Sequence, residues 1–155
     1  MDALRSQFKE SLVKALEEIL DKMVFMVFEP VDARKLPPGD FAYTSQISFG
    51  GRLSGTMAVY LTKATAEEFA RNLIGIRSGD ILQQSTLDDA LREFANILMG
   101  RALSLLAPKE HFDLQLPVTF TGMHPPAGAQ ADFQVNGILN EVEPCRIEVS
   151  LESRS

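Results

Sequence analysis

Between Thr86 and Ala107 the chain is apolar on almost every side of a helix, and this limits the fold more than any other stretch. At about 100° per residue, with Glu93 taken as zero, Leu87, Leu91, Phe94, Leu98, Ala102 and Leu105 fall in an arc centred at roughly 140°. That arc must face a core. Asp89, Glu93, Asn96 and Gly100 form a second stripe at roughly 330°, almost opposite the first. Ile97, Met99 and Leu103 flank the second stripe, so the helix is buried or covered by a partner. Ser85 or Thr86 is the expected N-cap, and Pro108 lies just past the end.

Helical and strand periods alternate along the rest of the chain. Asp2 can cap a first helix reaching about Met23, in which Leu4, Phe8, Leu12, Ala15, Leu16, Ile19 and Met23 recur at helical spacing. The apolar run Val24 to Phe28 predicts a short strand. Glu29 to Asp40, with Pro30, Pro37, Pro38 and Gly39, reads as a surface loop. Alternation then predicts a hairpin, with Tyr43, Ser45, Ile47 and Phe49 on one strand and Leu53, Gly55, Met57, Val59 and Leu61 on the other. Gly50-Gly51 would form a two-residue turn between them. Gly55 inside a strand points to a bulge or a close approach, with packing against a helix the simplest reading. A second helix is expected over Ala64 to Ile74, capped by Thr62 or Thr65 and ended by Gly75. Strands follow at Val118 to Gly122, Ala131 to Leu139 and Cys145 to Leu151, with Met123 to Gln130 as a loop.

Helices gathered around antiparallel hairpins make the fold class α+β. A long helix followed by strands occurs twice, from Asp2 and from Thr86, which suggests an internal pseudo-repeat, although identity between the halves is too weak to establish one. A length of 155 residues suits a single domain, 1–155, able to bury a core without metal or disulfide.

The formal net charge of -6 argues against nucleic acid or an anionic membrane surface as partner. No run of about 18 uncharged apolar residues is present, so membrane insertion is not expected. Met1-Asp2-Ala3-Leu4-Arg5 begins a charged amphipathic stretch rather than a signal peptide, and a cytoplasmic location is the simplest expectation. His111 and His124 are far apart and have no Cys or carboxylate cluster at ligand spacing, so no metal site is expected. Cys145 lies on an alternating strand and reads as a small core residue. No Gly-rich phosphate loop precedes a helix.

The outer stripe of the third helix carries the chemistry. Glu93 and Asn96 are three residues apart and therefore neighbours on one helical surface. Gly100 costs about 1 kcal/mol relative to Ala in a helix interior. A glycine on an outward stripe makes most sense where something must approach closely. Asn96 is a poor helix former in mid-helix. In the plain alternative, Glu93 is a solvated carboxylate paired with Arg92 or Arg101, and Asn96 satisfies a neighbouring backbone group.

Leu91-Arg92-Glu93-Phe94-Ala95-Asn96-Ile97-Leu98-Met99-Gly100 resembles the central helix of CheX-type members of the CheC/CheX/FliY phosphatase family. The hallmark there is Glu-x-x-Asn with a Gly four residues after the Asn. Ile47-Ser48-Phe49-Gly50-Gly51-Arg52-Leu53-Ser54-Gly55-Thr56 is similar to the family's first hairpin. Phe112-Asp113-Leu114-Gln115-Leu116-Pro117 is similar to the segment leading into its second set of strands. The resemblance runs from about Leu4 to the final strand.

The resemblance implies an α+β fold with two long helices packed on an antiparallel sheet, and hydrolysis of the aspartyl phosphate of CheY-type response regulators. It implies that Glu93 binds the partner by pairing with a lysine of the regulator, and that Asn96 orients the attacking water. It implies that Asp89, Ile97 and Gly100 border the docking surface. Mg2+ would be held by the regulator, with no cofactor bound by this chain. CheX-type members also suggest a homodimer formed by strand pairing.

Only one Glu-x-x-Asn is present. The first helix has Glu17-Glu18-Ile19-Leu20-Asp21 and no asparagine, which fits the one-site CheX type. Arg101 follows Gly100, where many members carry a small or polar residue, and a cation there could aid or obstruct docking. A non-catalytic interaction module on the same fold is the alternative to a phosphatase.

Overall fold

The computed structural model describes residues 2–77, 79–126 and 130–152. Helix α1 (Asp2–Val24) is followed by strand β1 (Phe28–Pro30), a 3-10 turn (Ala33–Lys35), strands β2 (Phe41–Gly51) and β3 (Gly55–Thr62), and helices α2 (Lys63–Ile74) and α3 (Gln84–Leu106). Strands β4 (Phe112–Leu114), β5 (Val118–Thr121), β6 (Phe133–Leu139) and β7 (Glu143–Leu151) complete it. The strands form one antiparallel sheet in the order β1-β6-β7-β3-β2-β4, with β5 also paired to β2. The fold is thus α+β, as the alternating periods imply.

Alternation decides which face of the sheet meets the helices. Ile47, Phe49, Met57, Val59, Val135, Ile147 and Val149 are buried with Phe8, Leu12 and Leu16 of α1 and Leu91, Phe94 and Leu98 of α3 in one core. Phe8 packs edge-on against Phe49, with ring centroids 5.8 Å apart, and Phe69 of α2 meets Phe94 of α3 at 4.5 Å. The opposite face is polar: the Tyr60 hydroxyl donates to Glu148 at 2.6 Å, and Arg146 donates to Asn136 at 2.9 Å.

Several expected boundaries move, each for a local reason. The run Val24 to Phe28 is not a strand. Helix α1 continues to Val24 and closes with Met26 N donating to Leu20 O at 2.8 Å. Phe25 takes the left-handed position usual at such a closure, at φ 59°, and stays 79% exposed. Strand β1 begins only at Phe28, the last residue of that run, and continues through Glu29 and Pro30 into the stretch read as loop; Pro30 is tolerated there because β1 is an edge strand.

Gly50-Gly51 does not form the turn. Both residues stay in β2 and pair with Asp113 and Phe112 of β4, a strand absent from the sequence reading, so the bend falls at Arg52-Leu53-Ser54. Gly55 is needed for a close approach, but by a strand rather than a helix: a Cβ there would collide with the Ser150 carbonyl of β7.

Helix α2 agrees with expectation, capped by Thr62, whose hydroxyl accepts from Thr65 N, and ended by Gly75 at φ 75°. Helix α3 starts two residues before Thr86. Neither Ser85 nor Thr86 is the cap; Gln83 is, without a side-chain bond. An i,i+4 bond from Gln84 Nε2 to Asp88 Oδ1, 2.9 Å, supports the added turn. Part of the expected loop 123–130 lies outside the described residues.

Candidate functional site

The buried side of α3 is wider than one stripe. Leu87, Leu91, Phe94, Leu98 and Ala102 are buried as expected, but so are Ala90, Ala95, Met99 and Leu103. Met99 and Leu103 therefore belong to the core rather than to the border of the outer stripe, and Ile97 is half-buried against that core. Leu105, expected inside, is 36% exposed, while Leu103 and Leu106 take the inner positions. Packed elements cross at an angle, so the covered side moves round a helix along its length.

What remains open on α3 is Asp89, Glu93 and Asn96, all exposed, with Gly100 half-buried at the end of the stripe. Two hydroxyls from the sheet pin the helix in this rotation. Ser45 Oγ, buried in β2, donates to Leu91 O at 2.8 Å, and Thr119 Oγ1 of β5 donates to Asp88 O at 3.3 Å. Both bonds reach the carbonyls of the turn that precedes Glu93 and Asn96. Neither hydroxyl stood out in the sequence.

The charges around the pair are committed elsewhere. Arg92 pairs with Asp89 one turn earlier on α3. Arg101 pairs with Glu18 of α1 at 3.1 Å, and this hydrogen bond, with a smaller contribution from Lys22, lowers the Glu18 carboxyl below its ordinary range. The expected pairing of Glu93 with Arg92 or Arg101 is therefore not made. Among the described residues, neither the Glu93 carboxylate nor the Asn96 amide has a hydrogen-bond partner. Arg101, turned to α1, does not border the pair.

Glu93 and Asn96 form one wall of an open groove of about 830 Å³, with Asp89 and Arg92 beside them. The opposite wall is Leu114-Gln115-Leu116-Pro117-Val118-Thr119, the connection between β4 and β5. That wall was missed as part of a site. Its signal was Pro117 within a run of alternating apolar residues, which marks an edge strand or a bulge.

The described groove lining offers the amides of Asn96 and Gln115, the carboxylates of Asp89 and Glu93, the Arg92 guanidinium and the Thr119 hydroxyl, and no His, Cys or Lys. Elsewhere, burial pushes the Cys145 thiol from 9.0 up to about 12, which makes it inert. His124 stacks on Phe120 with ring centroids 4.4 Å apart. Among the described residues no group of three or more His, Cys, Asp or Glu could hold a metal ion, and no helix is long and apolar enough to cross a membrane.

A family model for the chemotaxis phosphatase CheX matches residues 43–135, more than half of the chain. No curated protein matches the chain in sequence. Among solved structures, chemotaxis protein CheX from Vibrio vulnificus is similar with a TM-score of 0.76 at 20% identity, covering 94% of this chain and 96% of that one. CheX from Desulfovibrio desulfuricans gives 0.75 at 19% identity, covering 94% and 99%. A CheX–CheY–BeF3–Mg2+ complex from Borrelia burgdorferi gives 0.70 at 17% identity, covering 93% and 97%. At such identities the likeness establishes the fold alone.

Proposed function

The chain belongs to the CheX family of chemotaxis phosphatases, and from that premise we propose that it hydrolyses the aspartyl phosphate of a CheY-type response regulator. The observation that carries this reading is the pair Glu93 and Asn96, exposed and, among the described residues, without hydrogen-bond partners on one wall of an open groove. A groove of amides and carboxylates is better suited to orienting a water than to strong covalent catalysis. It suits a substrate that is already activated and arrives on another protein.

An acyl phosphate is such a substrate, because its transfer needs positioning and charge compensation more than covalent help from the enzyme. The Asn96 amide can accept from and donate to one water, aiming its oxygen at phosphorus. Attack forms the new P–O bond and breaks the bond to the regulator's aspartate, which leaves as a carboxylate with inorganic phosphate as product. We assign Mg2+ to the regulator, where it would compensate phosphoryl charge. The Borrelia burgdorferi complex, which contains CheX, CheY, BeF3 and Mg2+, supports a CheY-type partner.

Glu93 is assigned to docking through a lysine of the regulator, a pair strengthened as water leaves the interface. Asp89 and Gly100 extend the docking strip, and Ile97 borders it. A cytoplasmic location accompanies this partner. A homodimer formed by strand pairing is a further part of the proposal, which a monomeric mass by light scattering rejects.

The test mixes the purified chain with phosphorylated chemotaxis response regulators of its own organism and follows phosphate release. Asn96→Ala should slow hydrolysis about 10²-fold or more while leaving binding to the BeF3–Mg2+ regulator intact. Glu93→Ala should mainly weaken binding. Unaccelerated decay of every regulator rejects the enzyme. Binding that survives together with that result, and is indifferent to Asn96, supports the non-catalytic module instead.

A further inference from the structure

Strands β4 and β5 are one edge strand broken by a bulge. Phe49 of β2 pairs with Leu114, and Gln46 pairs with Val118. Ile47 and Ser48 therefore stand opposite three residues, Gln115, Leu116 and Pro117. Gln115 N still donates to Ser48 O at 2.9 Å, so the extra residue falls at Leu116-Pro117.

The bulge changes which side chains reach α3. Alternation alone would put Leu114 and Thr119, five residues apart, on opposite faces of the strand. Both face α3: Leu114 lies 3.7 Å from where a Cβ on Gly100 would be, and Thr119 bonds the Asp88 carbonyl. Between them Leu116 is left 91% exposed, the most exposed large apolar residue described, yet it lines the groove opposite Glu93 and Asn96. Val118, 49% exposed, lies beside it.

Protecting a sheet edge from stray pairing explains a bulge and a proline there, but it does not call for a leucine. A lone surface leucine also needs no explanation in general. This one is held by a proline and a ladder bond at the rim of a groove with an unpaired carboxylate.

We infer that the 115–117 bulge is the second jaw of the docking groove, and that Leu116 inserts into an apolar depression beside the phosphoaspartate of a response-regulator receiver domain. This rests on the proposed function and adds to it a specificity residue outside the Glu-x-x-Asn motif. An apolar anchor next to Glu93 excludes water from the carboxylate–lysine pair, as rims of near-neutral contacts do around buried anchors.

The test is steady-state hydrolysis of the phosphorylated regulator by Leu116→Asp and Leu116→Met. Leu116→Asp should raise KM tenfold or more with kcat within twofold, and Leu116→Met should restore KM. The exposure of Leu116 predicts unchanged thermal unfolding for both. A KM within twofold for Leu116→Asp, while Asn96→Ala abolishes hydrolysis, overturns the inference and leaves the phosphatase standing. If the unaltered chain releases no phosphate, the phosphatase reading fails. Calorimetry with the BeF3–Mg2+ receiver domain then decides the docking role, and an unchanged Kd for Leu116→Asp overturns it.

Discussion

Replacing Gly100 with alanine should stabilise the chain and impair its activity. Gly100 lies inside α3, four residues after Asn96. A helix-interior glycine is about 1 kcal/mol less favourable than alanine, largely through the conformational entropy of the unfolded chain. Local crowding does not cancel the gain. Apart from its own helix and chain neighbours, the one atom described within 4 Å of an added Cβ is Leu114 Cδ1 at 3.7 Å, an ordinary contact. That contact adds only about 0.1–0.2 kcal/mol. For a chain of this size the melting temperature should rise by about 2–4 °C. If the glycine serves a partner's close approach, the same methyl overpacks the interface at about 1–3 kcal/mol, raising KM about tenfold. Thermal unfolding and phosphate-release kinetics on one preparation read both effects. A fall in melting temperature would show that the glycine serves this chain's own packing. A stabilised variant with unaltered kinetics would refute the close-approach argument.

Two further predictions concern the scaffold. Gly55→Ala should destabilise by about 1–3 kcal/mol, because its Cβ collides with the Ser150 carbonyl and comes within 3.0 Å of the Phe49 ring; an unmoved urea midpoint would contradict the close β3–β7 spacing. Stability should also decline in alkali. Burial holds the Cys145 thiol at about 12 against 9.0, and desolvation with the bond to Glu148 raises Tyr60 above 10.0. Both groups stay neutral in the folded chain where the unfolded chain ionises, so their contribution is full below about pH 9. Above that it is lost by about 1.4 kcal/mol per pH unit for each ionised unfolded group. Urea midpoints should fall from about pH 9 upward, with onset nearer pH 10 in Cys145→Ala; a flat profile to pH 11 would refute the assignment.

Periodicity was a reliable guide wherever one element faced one neighbour. Helix α2, the alternation of β7 and the inward residues Leu87 to Ala102 of α3 are all legible, because one buried face imposes one period. Where an element meets several neighbours, the pattern blurs. Met99 and Leu103 look peripheral on a helical projection and are buried, since α3 is covered by the sheet and by both other helices. Phe25 reads as part of an apolar strand because nothing in residue type reveals a left-handed helix closure at a phenylalanine.

The sequence by itself determined the two periods, hence the α+β class, and set Glu93 and Asn96 together on one helical face through their spacing of three. Spacing within a helix is a local property and survives any packing. Arg92 is claimed by Asp89 within the same helix, but only the tertiary structure decided that Arg101 is claimed by Glu18 of α1, so that among the described residues Glu93 and Asn96 are left unpartnered. It alone set the facing wall, because that wall depends on one extra residue opposite Ile47 and Ser48. Strand register is fixed by pairing across the sheet and has no signature within the strand that carries it.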